Sequence, residues 1–298
     1  MTITQIAVFV RVAETLNFTR AAEELHMTQP AVSHVIAAIE SELETRLLRR
    51  DRKRGVALTQ VGEKVLPQFR AILQRIDKIH QEVAADNGIE VGRVSVGAFP
   101  SASAYFLPSL IREIRENYPN LHFDLHEGTA DEIREGVHER KYDVGLVLLP
   151  APGLDTVKLA ESRMLLLLPD GHPLRVKQTI TIRELDGEDL ILCRGGHEVT
   201  VLNEFEHEGV DARITFTTHN VSTMVAMVEQ GLGVGIVSEM ALSVHPHLLE
   251  IREIVPPIIR EIGAAVSSME EASPAVRLFL ETASNRFVEE KETIGQGK

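Results

Sequence analysis

The chain has a single cysteine, Cys193, no tryptophan, and an aromatic content of only 4%. One thiol excludes an intramolecular disulfide framework and fits a reducing compartment. No apolar run approaches the roughly 18–20 residues that cross a bilayer. The longest compact one, Met164 to Pro169, is strand-sized. Met1 to Arg11 lacks a basic start followed by an apolar core, so no secretory signal is expected and a cytoplasmic location is. Repeats of fixed period and low-complexity tracts are missing as well. What is present is ordinary for a globular protein: 298 residues, 44% hydrophobic and 25% charged, enough for one large domain or two to three small ones with sizeable cores.

Net positive charge is also missing. A total of −13 argues against a chain that coats nucleic acid over its whole surface. The charge is unevenly spread, however. The first 88 residues hold 12 Lys and Arg against 11 Asp and Glu, and the remaining 19 against 33 leave that part at −14. Arg46, Arg49, Arg50, Arg52, Lys53 and Arg54 crowd nine positions, offset only by Asp51. Screening acts over about 8 Å at physiological salt, so a local basic patch works despite a distant acidic body. The bland reading of such a run is a solvated surface.

Periodicity organises the first part. Ile6, Phe9, Val10, Ala13 and Leu16 predict a helix over 4–15, and Thr19 is a plausible N-cap for a second over 20–25. After the short His26-Met27 turn, Thr28 precedes Gln29-Pro30, where a first-turn proline is tolerated because its missing N–H would be unpaired anyway. A third helix is predicted from Gln29 to Leu43, with Val32, Val35, Ile36 and Ile39 on one face. Strands at 47–50 and 56–59 flank a basic hairpin tip. Three helices and a two-stranded hairpin are the parts of a winged helix-turn-helix over 1–59. Residues 60–85 read as one helix in which Val65, Phe69, Ile72, Ile76, Ile79 and Val83 fall four and three apart. That seam either packs on its own domain or dimerises; a linker and dimerisation helix over 60–88 is the preferred reading.

From Val91 the pattern becomes α/β. Strands are expected at 93–98, 121–127, 143–149, 164–168, 190–193, 214–217, 234–237 and 262–266. Helices are expected at 105–116, 130–140, 199–208, 222–230 and 274–290. Such alternation suits a parallel sheet.

An α-helix fits the major groove, and its N-terminal residues reach base edges. Here those are Thr28, Gln29, Pro30, Ala31, Ser33 and His34. Gln29 can pair with adenine through both amide atoms, Ser33 can donate or accept, and Pro30 and Ala31 can touch a thymine methyl. The competing reading is an ordinary helical hairpin with polar exposed positions. The wing charges, with Arg50, Arg52, Lys53 and Arg54 assigned to phosphate, favour DNA.

These residues carry a resemblance. Asn17 through His34, with Ala7-Val8-Phe9, Ile39-Glu40, Leu47-Leu48-Arg49-Arg50 and Leu58-Thr59-Gln60-Val61-Gly62, closely resemble the N-terminal domain of LysR-type transcriptional regulators. Phe106-Leu107-Pro108, Tyr118-Pro119, Glu127-Gly128, Tyr142-Asp143-Val144-Gly145, His172-Pro173-Leu174 and Gly231-Leu232-Gly233-Val234-Gly235 extend it over nearly the whole chain. There are departures. Glu44 stands where the family usually has glycine, at a cost of about 1 kcal/mol if φ is positive there. Leu48 replaces a usual phenylalanine, and His34 a common arginine, which bears on base preference.

The resemblance implies an effector-binding domain over 89–298, made of two α/β lobes like those of periplasmic binding proteins. The first lobe would span about 91–161 and 267–298, and the second about 162–266. It implies a small effector between the lobes, an organic acid or inorganic anion, and a homodimer or homotetramer on a dyad promoter site in double-stranded DNA. Independently, Phe99-Pro100-Ser101-Ala102-Ser103 follows a strand and opens a helix. Its free N–H groups and the Ser101 and Ser103 hydroxyls suit a carboxylate, although simple capping explains the serines too. Thr129 follows the next strand in the same way. Cys193, Arg194, His219 and Asn220 match family positions at the cleft; Arg194 either clamps a carboxylate or is a surface arginine.

Other readings carry less. The Gly231–Gly235 run follows a helix and leads into a strand, the reverse of a dinucleotide loop. His245-Pro246-His247, His197 and His207 lack a second ligand cluster, so no metal or other cofactor is expected. Cys193 lacks a resolving partner in sequence and reads as a small buried hydrophobe. Nothing has the context catalysis needs, so the chain is not expected to be an enzyme. The alternative to a regulator is a solute-binding protein using only the two-lobed part.

Overall fold

The computed structural model describes residues 1–51, 55–86, 91–194, 198–211, 213–244 and 247–289. It divides into two compact units, Met1–Ile89 with His138–Lys141, and Glu90–Val137 with Tyr142–Lys298.

The first unit opens with α1 (Ile3–Thr15), closed by Leu16 in the left-handed region at φ 47°. α2 (Phe18–Glu24) begins earlier than the sequence suggests. Asn17, not Thr19, is its cap, with Oδ1 accepting from the backbone N–H groups of Thr19 and Arg20. Only Leu16 and Asn17 lie between the helices, and the tight corner at Leu16 puts the cap on Asn17, so Thr19 enters the first turn. α3 (Gln29–Glu42) starts at Thr28 as expected. β1 (Leu48–Asp51) and β2 (Gly55–Leu58) pair antiparallel from Leu48↔Leu58 to Asp51↔Gly55. α4 (Gln60–Asp86) follows. Phe9 and Phe69 meet edge to face with centroids 5.3 Å apart. Around them Val12, Ala21, Val32, Ile36, Ile39, Leu47 and Leu66 bury a single core. The apolar stripes of α1, α3 and the start of α4 therefore satisfy one another.

The second unit contains β3 (Gly92–Ala98), α5 (Pro100–Asn117), β4 (Leu121–Glu127), α6 (Ala130–His138), β5 (Val144–Leu149) and β6 (Asp155–Leu168). It continues with β7 (Thr179–Thr181), β8 (Asp189–Cys193), α7 (Glu198–Glu208), β9 (Arg213–Thr218), α8 (Val221–Glu229) and β10 (Val234–Ser238). α9 (Glu239–Ser243), β11 (Glu250–Val255), β12 (Ile259–Val266) and α10 (Pro274–Ser284) complete it. The closing helix expected over 274–290 stops at Ser284 and passes into a π turn, Asn285–Glu289.

Strand order is β4-β3-β5-β12-β6-β10-β8-β9, with β11 on β6 and β7 on β11. β4, β3 and β5 run parallel, as do β9, β8 and β10. The sheet is not wholly parallel, however, because β6 and β12 cross between these sets as antiparallel strands. β6 serves both lobes: Asp155–Arg163 pairs with β12, and Met164–Leu168 pairs with β10 and β11. Separate cores pack under each set, one around Phe106, Leu110 and Phe279, another around Leu166, Leu190 and Phe205. This is a two-lobed α/β body whose halves share the long strand β6.

The glycine run after α8 is a helix-to-strand turn, with Gly231 at φ +75° and β10 starting at Val234. A Cβ on Gly233 would lie 2.5 Å from the Asp189 carbonyl oxygen, so the turn packs directly on β8.

Candidate functional site

The first assembly is the exposed side of α3. Val32, Ile36 and Ile39 are buried, which turns Thr28, Gln29, Pro30 and His34 outward. Ala31 and Ser33 are half-buried. Thr28 Oγ1 accepts from the Ala31 N–H at 3.4 Å, fixing the first turn. Gln29 Nε2 donates to Ser33 Oγ at 2.8 Å, so the two polar side chains suited to base edges are held together, one turn apart. Two devices fix the hairpin against this helix. Glu40 Oε1 accepts from the backbone N–H of Leu47 at 2.8 Å and of Leu48 at 3.0 Å. Thr59 Oγ1 donates to the Arg46 carbonyl at 2.8 Å and accepts from the Gly62 N–H at 3.0 Å. Gly62 is obligatory there, since a Cβ would sit 2.2 Å from the Leu47 carbonyl oxygen. Arg46 and Arg49 are exposed beside these anchors. Arg52, Lys53 and Arg54 lie outside the described residues, as does the Arg50 side chain.

Beyond this unit core, α4 carries the predicted seam. Phe69 is spent in the core and Val65 packs on it. Ile72, Ile79 and Val83 are exposed within the chain, the last two at 58% and 60%.

The second assembly lies on the two-lobed body. α5 begins at Pro100, five residues before the expected start, because Pro100 and the serines form its first turn. Phe99 is the cap residue but offers no capping side chain. Ser101 and Ala102 are buried and Ser103 is half-buried. Thr129 is exposed, and its N–H and hydroxyl both donate to Glu132 Oε2, at 2.8 and 3.0 Å. Cys193 ends β8, 3% exposed, and burial pushes its thiol pKa up, with a Thr218 hydrogen bond opposing. Arg194 is exposed; its N–H donates to the Thr218 carbonyl at 2.7 Å. His219 is exposed. Asn220 caps α8, its Oδ1 accepting from Ser222 and Thr223. These residues cluster at strand ends of both lobes, but they do not together line one described cavity.

Sequence reasoning missed Arg260. It sits on β12 opposite Ser162 of β6, 3% exposed. Its guanidinium carbon lies 5.8 Å from the centre of the Phe99 ring. Nε, Nη1 and Nη2 are all buried without a hydrogen-bond partner among the described residues. Burial lowers its pKa to about 10, opposed by the nearby charge of Glu198, so it is protonated at neutral pH. In sequence Arg260 is one of two adjacent charges, with Glu261, just ahead of the strand expected at 262–266, and nothing local marks it as buried. Among the described residues, no group of three His, Cys, Asp or Glu is placed to hold a metal, and no helix is long and apolar enough to cross a membrane. His197 and His245 lie outside the described residues.

A helix-turn-helix with a two-stranded wing, joined by a long helix to a two-lobed body, defines a DNA-binding regulator with a sensor domain. Comparison with known proteins agrees. The profile for the bacterial regulatory helix-turn-helix protein, lysR family, matches residues 3–63, and that for the LysR substrate binding domain matches residues 87–287. The uncharacterised HTH-type transcriptional regulator YvbU of Bacillus subtilis is 43% identical over 290 residues, covering 96% of this chain and 99% of its own. Full-length OxyR from Pseudomonas aeruginosa superposes with a TM-score of 0.76 at 25% identity, over 96% of this chain and 97% of that one. Full-length CbnR complexed with its target DNA superposes with a TM-score of 0.65 at 25% identity, over 96% and 99%. The chain belongs to the LysR family of transcriptional regulators. It is therefore a regulator and not an enzyme, and the solute-binding alternative has no support.

Proposed function

We propose that the protein acts in the cytoplasm as a dimer, or a tetramer built from dimers, on a dyad operator. Each α3 enters a major groove, with Gln29 and Ser33 on base edges and Thr28, Pro30, Ala31 and His34 lining the contact. Arg50, Arg52, Lys53 and Arg54 hold the flanking phosphates from the wing tip. The supporting observation is the Gln29–Ser33 bond on the outward face of a helix whose inner face is locked in the core. The Ile72, Ile79 and Val83 stripe of α4 closes the dimer, since an apolar seam of this length needs a partner. An anionic effector binds between the lobes, near Ser101, Ala102, Ser103, Thr129, Cys193, Arg194, His219 and Asn220. It biases two lobe arrangements and so the spacing of the two reading helices.

The test is a binding titration on a panel of duplexes with single base changes. Gln29→Ala should lose about 1–3 kcal/mol on the preferred operator and discriminate less at one base pair. Arg49→Ala should weaken binding to every duplex alike and reduce the salt slope by about one. Equal loss on all sequences for Gln29→Ala would overturn its reading role.

A further inference from the structure

Leu148 and Leu149 at the end of β5, Ile259 on β12 and Thr200 in the first turn of α7 form the walls of a cavity of about 470 Å³. Arg260, Glu161 and Glu261 line the same cavity. Both lobes contribute: β5 belongs to the first parallel set, while α7 packs in the core of the second. An arginine with every side-chain nitrogen buried and unpaired is costly, because desolvation of its charge is not offset by hydrogen bonds. Proteins seldom retain such a group without a use for it.

We infer that Arg260 is an anion receptor of the sensor domain, and that the ligand it selects is a monocarboxylate with an apolar body. This rests on the effector reading above and narrows it. A planar guanidinium fork matches a planar carboxylate through two parallel N–H···O bonds. The apolar walls suit the rest of such a ligand. Charge decides against a dianion. Glu161 and Glu261 share Lys158, with Lys158 Nζ donating to Glu161 Oε1 at 2.6 Å and also to Glu261. With the charge of Glu198 also acting on Arg260, the surroundings carry three carboxylates against two cations, Arg260 included, so each added negative charge meets repulsion and a dianion meets twice that of a monoanion for the same pair of bonds to Arg260. Because the walls come from both lobes, a carboxylate on Arg260 would favour their approach, which is how a ligand acquires different affinities for two states.

The experiment uses the full-length protein with straight-chain carboxylates from acetate to octanoate and with benzoate. Each is paired with its neutral amide, and inorganic sulfate and phosphate serve as tetrahedral anions. Calorimetry and thermal shift are the readouts. At least one carboxylate should bind about 100-fold or more tightly than its amide, and Arg260→Gln should remove that preference. Without ligand, Arg260→Met should melt no lower than the parent, since it replaces an unpaired buried charge by an apolar chain; a merely structural arginine would give a clear drop. Carboxylates that bind no better than amides, or equally well to Arg260→Gln, overturn the inference. If binding is lost in Ser101→Ala and kept in Arg260→Gln, or if only sulfate or phosphate binds, the effector reading stands and the Arg260 assignment falls. If no anion binds at all, both fall.

Discussion

Replacing Glu44 by glycine should stabilise the DNA-binding unit. α3 ends in a complete Schellman arrangement: the Thr45 N–H donates to the Glu40 carbonyl at 3.0 Å and the Glu44 N–H to the Ser41 carbonyl at 3.3 Å. That closure needs the residue after the cap in the left-handed region, and Glu44 is there at φ 50°. A residue with a Cβ is disfavoured in that region by about 1–2 kcal/mol, whereas glycine is not. Against this, glycine loosens the unfolded chain by about 0.4–1 kcal/mol. The Glu44 side chain is exposed and has no ion pair or hydrogen bond among the described residues, so no contact is forfeited. The net gain is about 0.5–1 kcal/mol, or roughly 3–6 °C in the melting of a unit of this size. Circular dichroism on the full chain, with Glu44→Ala as control, tests it. Alanine keeps the Cβ and should show no comparable gain. A glycine variant that melts at or below the parent, or an alanine variant that matches it, would refute the backbone argument.

Glu40→Ala should cost about 2–3 kcal/mol, because it strands the Leu47 and Leu48 N–H groups at a partly buried joint; chemical denaturation measures it, and an unchanged midpoint would free the wing from this anchor. Ile79→Glu should leave the melting of the monomer within about 0.5 kcal/mol, since the site is exposed in the chain, yet abolish dimers in light scattering. An assembly of unchanged mass would remove α4 from the interface. Cys193 should react with a thiol reagent at pH 8 at least about tenfold more slowly than free cysteine. Its raised pKa lowers the thiolate fraction, and burial blocks access. Reaction at the free-thiol rate would contradict both.

Legibility followed the range of the forces. Elements set by neighbours in sequence were readable: the Thr28 cap with Pro30 in the first turn, the hairpin, and the full run of α4. Glu44 was legible as a strain site from a single substituted glycine position. Where two local signals competed, the choice depended on geometry the sequence does not print. Asn17 and Thr19 are both good caps, and only the left-handed turn at Leu16 decides between them. The serines after Pro100 hid the first turn of α5 because serine favours loops as readily as helix starts. β6 was read as a five-residue strand but runs for 14, because Asp155–Arg163 alternates charge with apolar residues while crossing between lobes.

Arg260 shows the limit most plainly. Its own segment opens β12 with two adjacent charges, Arg260 and Glu261, residue types that ordinarily face water. It is buried because Phe99, about 160 positions earlier, and the α7 end near Glu198 close over β12. No local pattern encodes that enclosure. The charge pattern along the chain instead draws the eye to Arg194, which is exposed to solvent. An exposed arginine offers an anion little beyond what water gives, whereas a desolvated one gains most from a matching carboxylate. The residue best placed to recognise a ligand is thus the one whose environment, being assembled from distant segments, a sequence reading is least able to supply.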